Sequence, residues 1–280
     1  MQTVEGRVAV VTGGAAGMGL GMVRAFAGAG MKVVAADVRM DALDAALAPL
    51  RDAGHEVVGV ETDVSKQADV EALAEATLDA FGHVHVLCNN AGVGLFSTIA
   101  KTTIDDWEWI LGIDLWGPIY GIKVFLPLIE REDEGHINST SSLAGLLAGG
   151  AAGPYNVAKH GVVALMATLE RELRAAKSPV RASVLCPGAV NTDISRNSIA
   201  SRRARRGQAT GRTAEGDKIG EKLVGALAAG MDPDEVGHLV LDGILNDRFW
   251  IFTAPKLLRV VQEQVNVMVE DQSLTRLRMF

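Results

Sequence analysis

Arg7-Val8-Ala9-Val10-Val11-Thr12-Gly13-Gly14-Ala15-Ala16-Gly17-Met18-Gly19 is the stretch that decides the fold. A short β-branched run leads into a glycine-rich turn. Leu20 to Ala29 then reads as an amphipathic helix, and Lys32 to Ala36 as a second apolar strand closing on Asp37. Strand, glycine turn, helix, strand is the first βαβ unit of a dinucleotide-binding sheet. Glycines let the backbone approach a pyrophosphate, and the helix N-terminus presents unpaired N–H groups to it. Asp37 stands 18 residues past Gly19. A carboxylate there hydrogen-bonds the adenosine ribose and repels a 2′-phosphate, so NAD is preferred to NADP. Arg39, two residues on, is the counter-signal.

The alternation continues outward. Helices are predicted over Asp41–Ala53, Val70–Phe81, Asp105–Leu126 (with Pro118 inside it) and from the Tyr155 segment to about Ala175. Strands are predicted over Glu56–Glu61, Val84–Cys88, from His136, over Val180–Leu185 and over Phe249–Thr253. Val-rich strands alternating with helices give an α/β fold, a single Rossmann-type doubly wound parallel sheet with helices on both faces. After Thr192 the periodicity lapses for about 40 residues, which marks residues 193–231 as a lid or a disordered segment. Asp232-Pro233-Asp234-Glu235 restarts a helix to about Leu245 with an N-cap Asp, Pro at the first helical position and Glu at N3. A C-terminal helix follows Pro255 to about Glu270. No repeat or linker divides the chain, so residues 1–280 read as one domain.

Composition narrows the function. The 280 residues are 48% hydrophobic and 22% charged, enough for a sizeable core. A net charge of −7 speaks against a nucleic-acid partner. Cys88 and Cys186 lie far apart inside apolar runs, as buried thiols in a reducing compartment do. No signal peptide precedes Val8 and no run of about 18 apolar residues stands out, so a cytoplasmic protein without a membrane partner is expected. The six histidines show no metal-ligand spacing.

Tyr155-Asn156-Val157-Ala158-Lys159 carries the chemistry. Positions four apart share a helix face, so the phenol and the ammonium can point into one site. A positive charge there is expected to lower the phenol's pKa from about 10 towards neutrality, where it can exchange a proton. Alone, the spacing also fits a surface pair.

Thr12-Gly13-x-x-x-Gly17-x-Gly19, Asp63-Val64, Asn89-Asn90-Ala91-Gly92, Ser142, Tyr155-x-x-x-Lys159 and Pro187-Gly188-x-x-x-Thr192 together resemble the motifs of the classical short-chain dehydrogenases/reductases, over about residues 5–255. The resemblance implies that Gly13, Gly17, Met18 and Gly19 hold the pyrophosphate, Asp37 the ribose, and Asp63 and Val64 the adenine end. Asn90 and Gly92 would line the cleft further along, and Val190 and Thr192 would meet the carboxamide. Ser142 would hydrogen-bond the substrate oxygen, Tyr155 would act as base or acid, and Lys159 would bind the nicotinamide ribose. It also implies a homodimer or homotetramer. One position departs: the family's Asn is Asp114 here. Asp has the shape without the N–H donor, and it can raise the pKa of Lys159 through water. A working substitute, a weakened relay and a pseudo-enzyme are the three readings, and the intact Ser142, Tyr155 and Lys159 favour the first.

Val93, Leu95, Phe96, Leu143, Ala144 and Leu146 read either as ordinary core, for the Leu and Ala residues, or as a pocket for a hydrophobic secondary alcohol or ketone, alicyclic, aryl-carbinol or hydroxysteroid in type. A 3-oxoacyl-thioester reductase and a non-catalytic dinucleotide sensor are the alternatives. Arg196, Arg202, Arg203, Arg205, Arg206 and Arg212 read either as an anion clamp or as the solvated face of a lid. The C-terminal helix either covers the pocket or joins an interface.

Overall fold

The strands β1 (Val8–Thr12), β2 (Lys32–Asp37), β3 (Val57–Glu61), β4 (Val86–Asn89), β5 (Gly135–Thr140), β6 (Val180–Cys186) and β7 (Trp250–Phe252) form one sheet. Their order is β3-β2-β1-β4-β5-β6-β7, and every pairing is parallel. The structure is a computed structural model and describes residues 1, 3–206 and 227–274, for 203–206 the backbone alone. The helices are α1 (Gly17–Gly28), α2 (Met40–Asp52), α3 (Gln67–Phe81), α4 (Ile104–Leu111), α5 (Gly117–Ile129), α6 (Gly153–Ala175), α7 (Ile194–Arg206), α8 (Pro233–Leu245) and α9 (Leu258–Glu270).

Alternation along the strands sends side chains to two cores. Ala9, Val11, Val33 and Ala35 meet Met22 and Phe26 of α1, Leu43 and Leu47 of α2 and Val240 and Ile244 of α8. Val10, Val34, Leu87 and Ile137 meet Leu73 of α3, Phe125 and Ile129 of α5 and Val162 and Met166 of α6. All five β1 residues are buried, as a parallel strand covered on both faces requires. Helices α1 and α8 touch backbone to backbone. A Cβ at Gly21 would lie 2.0 Å from Pro233 O, and one at Gly237 would lie 2.1 Å from Gly21 O.

This is the doubly wound sheet that the sequence predicts, and α8 opens as expected, with Asp232 accepting from Asp234 N–H at 2.8 Å. Two expectations change. The segment after Thr192 begins not as a lapse but as α7, whose polar and Arg-rich sequence hides its helical period. The run Ile104–Ile129 is also long and apolar enough to cross a membrane by length and composition, at a mean hydropathy of 1.3. It is a core element here: Trp109, Ile110, Phe125 and Ile129 are buried against its neighbours.

Candidate active site

Strand order reverses between β1 and β4, and the cleft opens beyond their C-terminal ends, where a doubly wound sheet binds its ligand. Thr12 ties the two ends together. Its hydroxyl accepts from Asn90 N–H and Ala91 N–H, each at 3.0 Å, and Asn90 Nδ2 donates to Thr12 O at 3.0 Å. Gly13 follows at φ +69°, and a Cβ there would lie 2.9 Å from Ala91 Cα. Only glycine lets the turn pass this close.

The cleft measures about 670 Å³. Of the residues implied for the cofactor, Gly13, Gly17, Met18, Asp37, Asp63, Val64, Asn90, Gly92 and Thr192 line it. Gly19 does not; it packs on Gly13, where a Cβ would sit 2.0 Å from Gly13 O. Val190 turns into the core at 3% exposure and bridges Met231. Arg39, Trp109, Ile113 and the α7 residues Ile194, Asn197 and Ser201 are among the other lining residues. The sequence reading missed those α7 residues, although their spacing of three and four was a usable signal.

The lining suits a dinucleotide. The N-cap of α1 is Ala16, with no side-chain oxygen on the first-turn N–H groups and no acid in that turn, which leaves the helix N-terminus open to an anion. Asp37 Oδ2 accepts from Ala15 N–H at 3.2 Å, and Oδ1 accepts from the backbone N–H and Nε of Arg39 at 3.1 and 3.3 Å. The Arg39 charge is thus engaged by the carboxylate. Asp63 accepts from Ser65 N–H and Oγ at 3.1 and 2.6 Å. Partial burial pushes its pKa up, but the Ser65 hydrogen bonds and the Lys66 charge hold it below the ordinary range.

Helix α7 closes over this cleft. Ser198 Oγ accepts from Gly94 N–H at 2.8 Å, and Arg202 makes a two-pronged pair with Asp106 at 2.8 and 2.9 Å. Arg196 pairs with Asp193 at 2.9 Å in the open. Of the predicted cluster, Arg212 and the side chains of Arg203, Arg205 and Arg206 lie outside the described residues.

The fold brings Ser142, Tyr155 and Lys159 into one neighbourhood. Ser142 Oγ accepts from Ala144 N–H at 3.1 Å, which leaves its own O–H to donate, and Ser142 is close enough to the Tyr155 phenol to favour its ionised form slightly. Lys159 Nζ lies 5.6 Å from the Tyr155 ring centroid and donates to Thr140 O at 3.1 Å. Thr140 was not anticipated; its carbonyl is simply the end of β5. Phe96 packs beside Tyr155 with ring centroids 6.3 Å apart.

Asp114 meets Lys159 directly rather than through water. Gly117 N–H reaches five residues back to Gly112 O, making a π-helical turn over Gly112–Trp116. Pro118 has no N–H to close an α-turn on the Asp114 carbonyl, which accounts for the irregularity. The turn buries Asp114 completely. Its Oδ1 accepts from Val93 N–H at 2.8 Å, and Oδ2 lies 3.2 Å from Lys159 Nζ. The two form a buried ion pair. Burial raises the Asp114 pKa against the opposing Lys159 charge. Burial would lower that of Lys159, but Asp114 holds it above its ordinary value.

The phenol runs against expectation. Its pKa is raised, with burial as the largest cause, Lys159 opposing and Asp114 adding to the rise. Two apolar expectations also shift. Leu95 belongs to the core with Trp109 and Ala158, and Leu146 packs on the α6 side of the sheet. Leu143 is half-buried and packs at Gly188 instead. A Cβ at Gly188 would lie 3.5 Å from Leu143 Cδ1 and 3.7 Å from Leu257 Cδ1, so the turn before α9 reaches the catalytic side.

Comparison with known proteins agrees with this geometry. The short chain dehydrogenase model matches residues 7–203. A short chain dehydrogenase/reductase from Burkholderia phymatum, solved in complex with NAD, superposes with a TM-score of 0.96 at 37% identity, covering 100% of both chains. The C alpha-dehydrogenase of a Sphingobium species is 30% identical over 97% of this chain and 88% of its own. The 1-deoxy-11-beta-hydroxypentalenate dehydrogenase of Streptomyces exfoliatus is 32% identical over 89% and 84%. The protein is an oxidoreductase of the Rossmann type, a binder of nicotinamide dinucleotides. It belongs to the classical short-chain dehydrogenase/reductase family.

Proposed function

We propose that the chain is an NAD-dependent dehydrogenase interconverting a hydrophobic secondary alcohol and its ketone, with Tyr155 as acid and base. The observation that carries this reading is the junction of Tyr155, Ser142 and Lys159 beside the cleft-lining Gly92, where a Cβ would lie 3.5 Å from Lys159 Nζ. Gly13, Gly17, Met18, Asp37, Asp63, Val64, Asn90, Gly92 and Thr192 would hold the cofactor, with Gly19 and Val190 supporting the turns that carry them. When bound, the cofactor accepts or gives the hydride. Everything else is proton management by the protein. Ser142 donates to the substrate oxygen and orients it towards the phenol. Tyr155 takes the alcohol proton as hydride leaves, or returns it to the ketone oxygen. Lys159 keeps a positive charge under the ring, pinned by Thr140 O and Asp114.

NAD is favoured over NADP because Asp37 faces the ribose end and occupies the Arg39 charge. Phe96, Leu143 and Leu257 support an apolar substrate. Two relatives named as dehydrogenases fit the reaction class. One domain, a cytoplasmic location and a homodimer or homotetramer complete the reading.

The test is turnover with NAD and a panel of apolar secondary alcohols, followed at the reduced-nicotinamide absorbance. Tyr155→Phe is expected to lose about a thousandfold in kcat while keeping NAD affinity within threefold. With the phenol held above its ordinary range, alcohol oxidation rises with pH into the alkaline region, whereas ketone reduction is level through neutrality. Tight NAD binding without turnover of any alcohol would leave a sensor instead.

A further inference from the structure

The family's Asn at position 114 would leave Lys159 as an uncompensated buried cation. In this chain the position holds a carboxylate, fully buried and 3.2 Å from the ammonium. The pair abuts the cleft. Gly92 lines it, and a Cβ at Gly92 would lie 3.6 Å from each Asp114 oxygen and 3.5 Å from Lys159 Nζ. Val93, the next lining residue, donates its N–H to Asp114 Oδ1. Only a glycine backbone thus separates the carboxylate from the space that the reading above gives to the nicotinamide. Among the described residues, the other titratable groups acting on Lys159 are Tyr155 and Cys186, both pushed towards their neutral forms. Tyr155 lies above its ordinary value, and burial pushes Cys186 up to about 12. Among the described residues, the charges that face each other here are those of Lys159 and Asp114.

We propose that Asp114 is an electrostatic positioning residue that cancels the Lys159 charge and so selects the oxidised, cationic form of the nicotinamide over the neutral reduced form. A ring carrying a positive charge is opposed by a bare lysine within several ångströms and is not opposed by a neutral pair. A neutral ring is nearly indifferent to the exchange. The effect therefore belongs to the ratio of two affinities, which a purely structural role of Asp114 leaves unchanged.

This inference rests on the cofactor site described above, and one titration separates the two. Dissociation constants for NAD and NADH are measured by fluorescence or calorimetry on the full chain, on Asp114→Asn and on Asp114→Ser. Both substitutions are expected to raise the ratio of the NAD to the NADH constant by roughly tenfold. Partial unfolding of a variant scales both constants alike and leaves the ratio readable. If the phosphorylated pair binds instead, the same ratio is read with NADP and NADPH. Ratios within twofold of the natural protein in both variants overturn the role of Asp114 and leave the dehydrogenase reading standing. A natural chain that binds none of the four dinucleotides overturns both.

Discussion

His136 sits on β5 in the middle of the sheet, fully buried, with Nε2 2.8 Å from Ser183 Oγ. Ser183 Oγ also accepts from Asn138 Nδ2 at 2.8 Å. The Ser183 hydroxyl and His136 Nε2 share a hydrogen bond, and among the described residues nothing partners Nδ1. Protonation would bury a charge and leave an Nδ1–H without an acceptor. Burial accordingly pushes the pKa from 6.5 down to about 3. Because the folded value is the lower one, its stabilisation is complete above the unfolded value and is lost as pH falls from 6.5 towards 3. At pH 4.5 the linkage amounts to about 2.7 kcal/mol, against less than about 0.1 kcal/mol at pH 7.5. The assay is urea unfolding of the natural chain and of His136→Gln at both pH values. The natural chain is expected to lose about 2–3 kcal/mol more than the variant between pH 7.5 and 4.5. Parallel losses in the two proteins would show that His136 accepts its proton in the folded state as readily as in the unfolded one, and the argument would fail.

Two further predictions concern the lid and the helix contact. Arg202→Leu removes the pair that anchors α7 to the buried Asp106, and NAD affinity by fluorescence titration is expected to fall about fivefold to thirtyfold. Arg196→Ala, whose partner Asp193 is as exposed as itself, should change it less than twofold. Gly237→Ala would force a methyl to within 2.1 Å of Gly21 O and separate α8 from α1, costing about 3 kcal/mol or more, read as a depressed Tm.

The sheet was legible because burial on both faces writes itself as continuous apolar runs, β1 being the clearest. The cleft was legible for a related reason. Its walls are backbone turns, and Gly13 and Gly17 announce them through positive φ values that other residues avoid. The Tyr155–Lys159 pair followed from helical spacing taken together with the glycine turn, Ser142 and the other motifs in order. What stayed hidden depends on burial or on elements distant in sequence. Hydrophobicity could not tell Leu95, a core residue, from Leu143, which is half-buried beside Gly188. Helix α7 carries few apolar residues, since one face meets the cleft and another holds Arg202 against α4. The phenol's pKa was misjudged because spacing reports the neighbouring charge and not the desolvation that outweighs it. Asp114 combines both failures. Its identity was visible, and so was Pro118, whose missing N–H lies four residues beyond it. Only the π-helical turn between them turns the carboxylate inward onto Lys159. A one-atom change from Asn thus becomes a change in the net charge of a buried site, and the neighbouring charges rather than the residue's shape decide its effect.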